Sequence, residues 1–176
     1  MHKRRFIITM GGLVVLAALA VTLLLGACSG KAVSASPSSA PSSNTRVDPT
    51  WITPEVNGTV VSVPVDVVKD KVDTHFKVEV DKGTAYFMAY VYGGKTYVRA
   101  DVCVPCRSIN FSLYKGTLVC DSCGTVFKAT DGSGVSGACV NYPKASVPFE
   151  TIDGKIVMKQ ADLIAAFDAT LQPGLP

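Results

Sequence analysis

Cys103-Val104-Pro105-Cys106, thirteen intervening residues, and then Cys120-Asp121-Ser122-Cys123-Gly124 are the stretch around which this 176-residue chain is organised. A Cys-x-x-Cys turn aims both sulfurs at one point, and two such turns complete a tetrahedron of thiolates around one metal or cluster. Cys139 follows, just after the glycine-rich run Asp131-Gly132-Ser133-Gly134-Val135-Ser136-Gly137. Ligation must come mainly from sulfur, because the chain holds only two histidines, His2 at the extreme N-terminus and His75. His75 alternates onto the polar face of a strand and reads as a surface residue.

Working upstream, Val60, Val61, Val63, Val65, Val67 and Val68 predict an opening strand region, which Pro64 places at an edge or bulge. Residues 75–80 alternate polar and apolar, the period of a half-buried strand. Asp81-Lys82-Gly83 then turns into a second strand over 84–92, and Gly93-Gly94 into a third over 95–100. This antiparallel meander leads into the first cysteine pair. Between the pairs, 108–113 and 117–119 form a hairpin around Lys115-Gly116. Downstream, a closing hairpin turns at Asp153-Gly154. Leu163, Ile164, Phe167 and Leu171 recur at helical spacing, so a short amphipathic C-terminal helix starts near Gln160. The reading is one mostly β domain over 51–176, with about two-thirds of its unfolded surface buried on folding.

The N-terminal residues carry a different message. An apolar run over 6–27 lies behind His2-Lys3-Arg4-Arg5 and ends at Leu25-Gly26-Ala27-Cys28, which resembles the bacterial lipobox. It implies a lipoprotein signal peptide over 1–27, cleavage before Cys28 and a diacylglycerol on its sulfur; an uncleaved membrane anchor is the alternative, the run being long enough to span a bilayer. Arg4-Arg5-Phe6-Ile7-Ile8 loosely matches a twin-arginine signal, but the strongly apolar core favours ordinary Sec export. Residues 28–50, rich in Ser, Ala and Pro, read as a disordered tether. The expected location is the extracytoplasmic side of a bacterial cell membrane. Removing Lys3, Arg4 and Arg5 from 17 basic residues leaves 14 against 14 acidic ones. A near-neutral mature domain gives no electrostatic case for a nucleic-acid partner.

Besides Cys28 there are five cysteines, an odd number that would leave one thiol over in a purely structural disulfide framework. Three occupants of the cysteine site stay open on spacing: an iron–sulfur cluster, a zinc ion held by four cysteines, or no metal and a redox-active Cys103–Cys106 or Cys120–Cys123 pair. Backbone N–H groups of Gly124 and of the glycines in 132–137 could approach the sulfurs and stabilise their charge; turn chemistry explains the same glycines. Arg107 reads as a solvated loop residue, and Tyr114 and Phe127 as core. Nothing resembles a catalytic triad, a carboxylate pair or a phosphate loop, so hydrolysis and phosphoryl transfer are not expected, and a non-enzymatic electron-transfer or metal-binding role is favoured over an enzymatic one.

The run Leu118-Val119-Cys120-Asp121-Ser122-Cys123-Gly124-Thr125-Val126-Phe127, the glycine-rich loop, Tyr142-Pro143, Val147-Pro148 and Asp153-Gly154-Lys155-Ile156-Val157 resemble the second half of a Rieske domain. Rieske proteins use Cys-x-His and Cys-x-x-His, and this chain has cysteine in place of histidine in both loops. The pattern is more closely similar to the FtrD-like family of iron–sulfur membrane proteins associated with bacterial iron transport, over about residues 60–165. That family carries Cys-x-x-Cys, a short hairpin, Val-Cys-x-x-Cys-Gly-x-x-Phe, and a further cysteine in a glycine-rich turn near a proline.

The resemblance implies a Rieske-like antiparallel β sandwich with Cys103, Cys106, Cys120, Cys123 and Cys139 as metal ligands. It implies an iron–sulfur cluster, with zinc and copper as alternatives, and a potential lowered by thiolate in place of histidine. The role it implies is electron transfer or metal handling for a membrane iron or copper uptake system, with the transporter or redox proteins as partners. Two other functions stay open: a structural four-cysteine zinc module that binds a partner protein, and a thiol–disulfide oxidoreductase. Two departures stand out. Family members often carry several membrane helices, where this chain has a lipid anchor and a tether. Their Gly-Gly-Cys-Asn-Pro turn is here Gly137-Ala138-Cys139-Val140-Asn141-Tyr142-Pro143.

Overall fold

The computed structural model describes residues 44–174. The apolar run, the lipobox with Cys28 and most of the expected tether lie outside them. The chain runs β1 (Thr50–Trp51), β2 (Glu55–Asn57), β3 (Val60–Pro64), α1 (Val65–Lys71), β4 (Asp73–Val80), β5 (Gly83–Tyr92) and β6 (Lys95–Ala100). It continues through β7 (Phe111–Tyr114), β8 (Thr117–Cys120), β9 (Val126–Lys128), β10 (Gly134–Ser136), β11 (Glu150–Ile152), β12 (Lys155–Lys159) and α2 (Gln160–Thr170). Among the described residues no helix is long and apolar enough to cross a membrane.

Three four-stranded sheets form, in the orders β1-β4-β5-β6, β10-β9-β8-β7 and β11-β12-β3-β2. Every pairing is antiparallel except β1 with β4. The mostly β architecture with a short C-terminal helix is therefore as expected. Both cysteine loops sit beside the β7–β8–β9 sheet.

The middle sheet is buried on both sides, because successive residues of a strand face opposite ways. One face presents Phe76, Val78, Phe87 and Ala89 to Val61, Val63, Ile156 and Met158 of the third sheet and to Leu163 of α2. Phe76 and Phe87 are register partners whose rings stack at 5.6 Å. The other face presents Met88 and Tyr90 to Phe111, Leu118, Phe127 and the cysteines. Fully burying each such side chain contributes about 1.5–3 kcal/mol, so the cysteine sheet is held on by apolar contact.

Three expectations change. The valine-rich stretch is not one strand: β3 stops at Pro64 and α1 begins at Val65. Proline ends the strand there because it has no N–H to donate, while its φ of −68° suits a helix entry. Nor does β3 lie at an edge, since it pairs with both β12 and β2. His75 is fully buried, not on the surface. The alternation along β4 holds, but its polar side meets water only at Lys77 and Glu79, while Asp73 and His75 are buried towards the cysteine sheet. Finally, backbone pairing begins ahead of Trp51: Val47 exchanges two hydrogen bonds with Leu113, at 2.9 and 3.0 Å. Arg46 pairs with Asp121, so residues 46–50, expected as the end of the tether, lie against the domain.

Candidate metal centre

Two loops of matching construction carry the sulfurs. In the first, the N–H of Cys103 donates to Ser108 O at 2.8 Å, and that of Arg107 donates back to Cys103 O at 2.6 Å. In the second, the N–H of Cys120 donates to Thr125 O at 2.9 Å, and that of Gly124 to Cys120 O at 2.8 Å. Both knuckles turn at a left-handed residue in the same place, Arg107 with φ 58° and Gly124 with φ 68°. Glycine adopts that conformation freely and arginine does not. The backbone N–H groups that reach sulfur come from Ser108 to Cys106 and Thr125 to Cys123. The expectation that glycine N–H groups would do this is corrected for Gly124, whose N–H closes the knuckle instead.

This folding brings together Cys103, Cys106, Cys120 and Cys123, with all four Sγ atoms within 4.8 Å of one another. Cys103 and Cys123 are 3.7 Å apart, and Cys106 and Cys120 are 3.6 Å apart. A metal with sulfur ligands at about 2.3 Å sets tetrahedral edges near 3.8 Å, so the donor set fits sulfur-held iron or zinc. Each iron of an iron–sulfur centre is also tetrahedral in sulfur, and the two close pairs offer such edges. The fifth predicted residue, Cys139, stands beside this group, with its Sγ 3.7 Å from that of Cys123. The five are free thiols; Cys103, Cys120 and Cys139 are buried, while Cys123 is exposed and Cys106 half-buried. Cys28 lies outside the described residues.

Thr125 joins the second loop to Cys139. Its buried hydroxyl lies 3.2 Å from Cys123 Sγ and accepts the Cys139 N–H at 3.2 Å. Gly137, at φ 110°, packs on this threonine so closely that a Cβ would come 2.6 Å from Thr125 Oγ1. Burial pushes the Cys103 thiol up, reinforced by its sulfur neighbours, and Cys106 up to about 11. Burial acts the same way on Cys123, but the Thr125 hydroxyl and N–H outweigh it and bring this thiol down to about 6.

Three buried features of the surroundings go beyond the sequence reading. Lys144 is fully buried, donates from Nζ to Val102 O at 2.6 Å, and lies 4.5 Å from the Phe127 ring centroid and 5.3 Å from that of Phe111. No carboxylate among the described residues lies within ion-pair distance of it. Burial pulls it down to about 8, opposed by Cys103, Asp101, Cys120 and Cys139. An ammonium buried without an acidic partner needs another anion, which cysteine sulfur bound to a metal would supply.

Arg99 is also buried. It donates to Tyr90 Oη and to the carbonyls of Thr130, Asp131 and Lys144, pinning the turn that leads towards Cys139.

The third feature is a chain of three fully buried groups. His75 Nδ1 stands 2.7 Å from Asp101 Oδ2, and His75 Nε2 stands 3.3 Å from Asp73 Oδ1. Burial alone would lower the ring, but Asp101 first and Asp73 second raise it to about 10. Burial raises both carboxyls, with His75 opposing. The two tendencies meet in a protonated ring between carboxyls that share its compensating charge. Trp51 covers the ring edge-on at 5.4 Å and donates from Nε1 to Asn110 Oδ1 at 3.2 Å. The one sequence signal for this triad is an acidic residue two places ahead of Cys103, at the end of a strand. For Lys144 and Arg99 there is none, since their partners are carbonyls and sulfurs far along the chain.

The family described as "Membrane iron-sulfur containing protein FtrD-like" matches residues 68–169. No curated protein matches the chain in sequence. Among solved structures, the chain is similar to one in a complex of reduced oxygenase and oxidized ferredoxin in carbazole 1,9a-dioxygenase. That match has 19% identity and a TM-score of 0.49, covering 59% of this chain and 95% of that one. It is also similar to a ferredoxin of Sphingomonas yanoikuyae B1, with 17% identity, TM-score 0.40, and 48% and 84% covered. A third is the ferredoxin of carbazole 1,9a-dioxygenase from Nocardioides aromaticivorans IC177, with 18% identity, TM-score 0.45, and 61% and 98% covered.

Proposed function

Because the chain belongs to the FtrD-like family of membrane iron–sulfur containing proteins, we propose that it transfers electrons through iron held by cysteine sulfur. We place it at the cell envelope, in the service of a membrane iron or copper uptake system. The observation that carries this reading is the convergence of four sulfurs from two matched knuckles, with Cys103 and Cys120 sealed in apolar packing and Cys123 at the surface. Sulfur-held iron supplies one-electron chemistry. The chain's own residues do the rest: Phe111 and Phe127 exclude water from beneath the sulfurs, Lys144 offsets their charge, and the Cys106–Cys123 rim is the face a redox partner meets.

Attachment to the membrane rests on Leu25-Gly26-Ala27-Cys28. A diacylglycerol on Cys28 and the Ser/Ala/Pro-rich segment after it would hold the domain near the extracytoplasmic membrane face. The iron or copper permease and the redox proteins that serve it are the partners this reading names.

Potentiometric titration of the iron-loaded full chain tests the proposal. A single reversible one-electron wave is expected, and its absence from iron-loaded protein counts against electron transfer. A structural four-cysteine zinc site is the second reading, favoured by sulfur edges close to those around zinc; it predicts colourless protein whose stability depends on the metal.

A further inference from the structure

Five sulfurs meet at a centre that takes four. We propose that Cys123 and Cys139 are alternative fourth ligands beside a fixed set of Cys103, Cys106 and Cys120. Exchange between them would move the metal between a sealed and an open state. The inference rests on the metal-binding reading above and deepens it: the same site gains a route for loading and handing over metal.

Cys123 Sγ lies 3.7 Å from Cys103 Sγ and 3.7 Å from Cys139 Sγ. Cys139 is the sulfur that stands next to the group of four, within reach of the position that Cys123 occupies. The two differ sharply in access, since Cys139 is 1% exposed and Cys123 is the one exposed cysteine of the described five. They are also linked mechanically. The Thr125 hydroxyl touches Cys123 Sγ and holds the Cys139 N–H, each at 3.2 Å, so displacing one loop pulls on the other.

The exchange balances without an oxidant. One metal–sulfur bond to Cys123 breaks as one to Cys139 forms, the Cys139 proton passes to the released thiolate or to water, and no oxidation state changes. With Cys139 bound, the metal is held by three buried sulfurs and the half-buried Cys106, and Cys123 is free at the surface as a first ligand for an incoming or departing metal.

Cobalt(II) loading of the full chain tests this, because thiolate-to-cobalt absorption reports how many sulfurs bind. Cys123→Ser and Cys139→Ala are each expected to keep the four-sulfur spectrum, with affinity within about tenfold of wild type. Cys120→Ser and the Cys123→Ser/Cys139→Ala double variant should lose a sulfur from the spectrum and at least about a hundredfold in affinity. Transfer of cobalt to a competing chelator should slow in both single variants. Far-ultraviolet circular dichroism of each apo variant checks that it folds, and Cys139→Ser replaces Cys139→Ala if that one does not. The exchange is overturned if Cys123→Ser loses a sulfur as Cys120→Ser does while Cys139→Ala behaves as wild type, the signature of one fixed ligand set. Wild-type protein that takes up no cobalt, zinc or iron overturns the metal-binding reading itself, and the exchange with it.

Discussion

Lys144 Nζ donates to the carbonyl of Val102 at 2.6 Å, one residue ahead of Cys103, with its whole side chain sealed from solvent. That contact places a positive charge beneath the thiolates and gives a first prediction. Lys144→Met keeps the volume and removes the charge, so metal affinity should fall about 10–100-fold, the usual effect of losing a group that supports the ligands. The reduction potential of the iron-loaded protein should fall as well, because the more negative reduced state loses its counter-charge. Chelator competition and potentiometry read the two effects; unchanged values would make Lys144 a mere filler of the core.

His75 carries a pH-dependent share of stability. Its folded value of about 10 lies above the ordinary 6.5, so its contribution is complete below pH 6.5 and is lost as pH rises through about 10. The raised Asp73 and Asp101 act with the same sign, since folded carboxyls that hold their protons also lose stability as pH rises. His75→Gln leaves two buried carboxyls without their cation and should cost about 3–5 kcal/mol at neutral pH. Urea denaturation at pH 6 and pH 10 should show a smaller alkaline loss in the variant than in wild type. Equal losses would mean that the ring is neutral in the fold.

Arg107 occupies the left-handed corner that Gly124 fills in the matching knuckle. An L-residue there costs about 1–2 kcal/mol, from which glycine's extra chain entropy takes back roughly 0.5–1. Arg107→Gly should therefore stabilise the domain by about 0.5–1 kcal/mol, and Gly124→Ala should destabilise it. Thermal melts of the two variants should move in opposite directions.

Gly137→Ala tests the link through Thr125. The added Cβ meets Thr125 Oγ1 at 2.6 Å, at a φ of 110° that side chains rarely adopt. A loss of about 1–3 kcal/mol is expected, together with weaker metal retention, since the displaced hydroxyl touches Cys123 and holds the Cys139 N–H. Destabilisation with undiminished metal binding would show that Thr125 does not organise the site.

Among the five thiols, Cys123 should be the first alkylated in metal-free protein at pH 7. It is exposed, and it is brought down to about 6 while burial raises Cys106 to about 11. Peptide mapping after a brief iodoacetamide pulse reads this directly. Bound metal should protect Cys123, and preferential labelling of Cys106 would contradict the charge order.

The hairpins of this domain are legible in the sequence because their turns announce themselves: Gly93-Gly94, Lys115-Gly116 and Asp153-Gly154 each fall between runs that alternate. The sulfur group is legible for a related reason, since two Cys-x-x-Cys spacings are a local pattern that survives any fold around them. Cys139 joins them by resemblance, and the structure brings it alongside despite the altered turn that follows it. What cannot be read depends on partners distant in the chain. The valines of α1 favour a strand locally, and packing of Val68 in the core overrides that preference. His75 lies on a polar face that alternation assigns correctly, but alternation cannot say whether that face meets water or a second sheet. Lys144 looks like any loop lysine until folding puts it under two aromatic rings and the sulfurs.

The most direct test of the central claim is metal analysis combined with visible absorption on the anaerobically purified full chain. The account predicts bound iron, sulfur-to-iron charge-transfer bands, and their bleaching by dithionite with recovery on reoxidation. A colourless protein carrying one zinc per chain would contradict it.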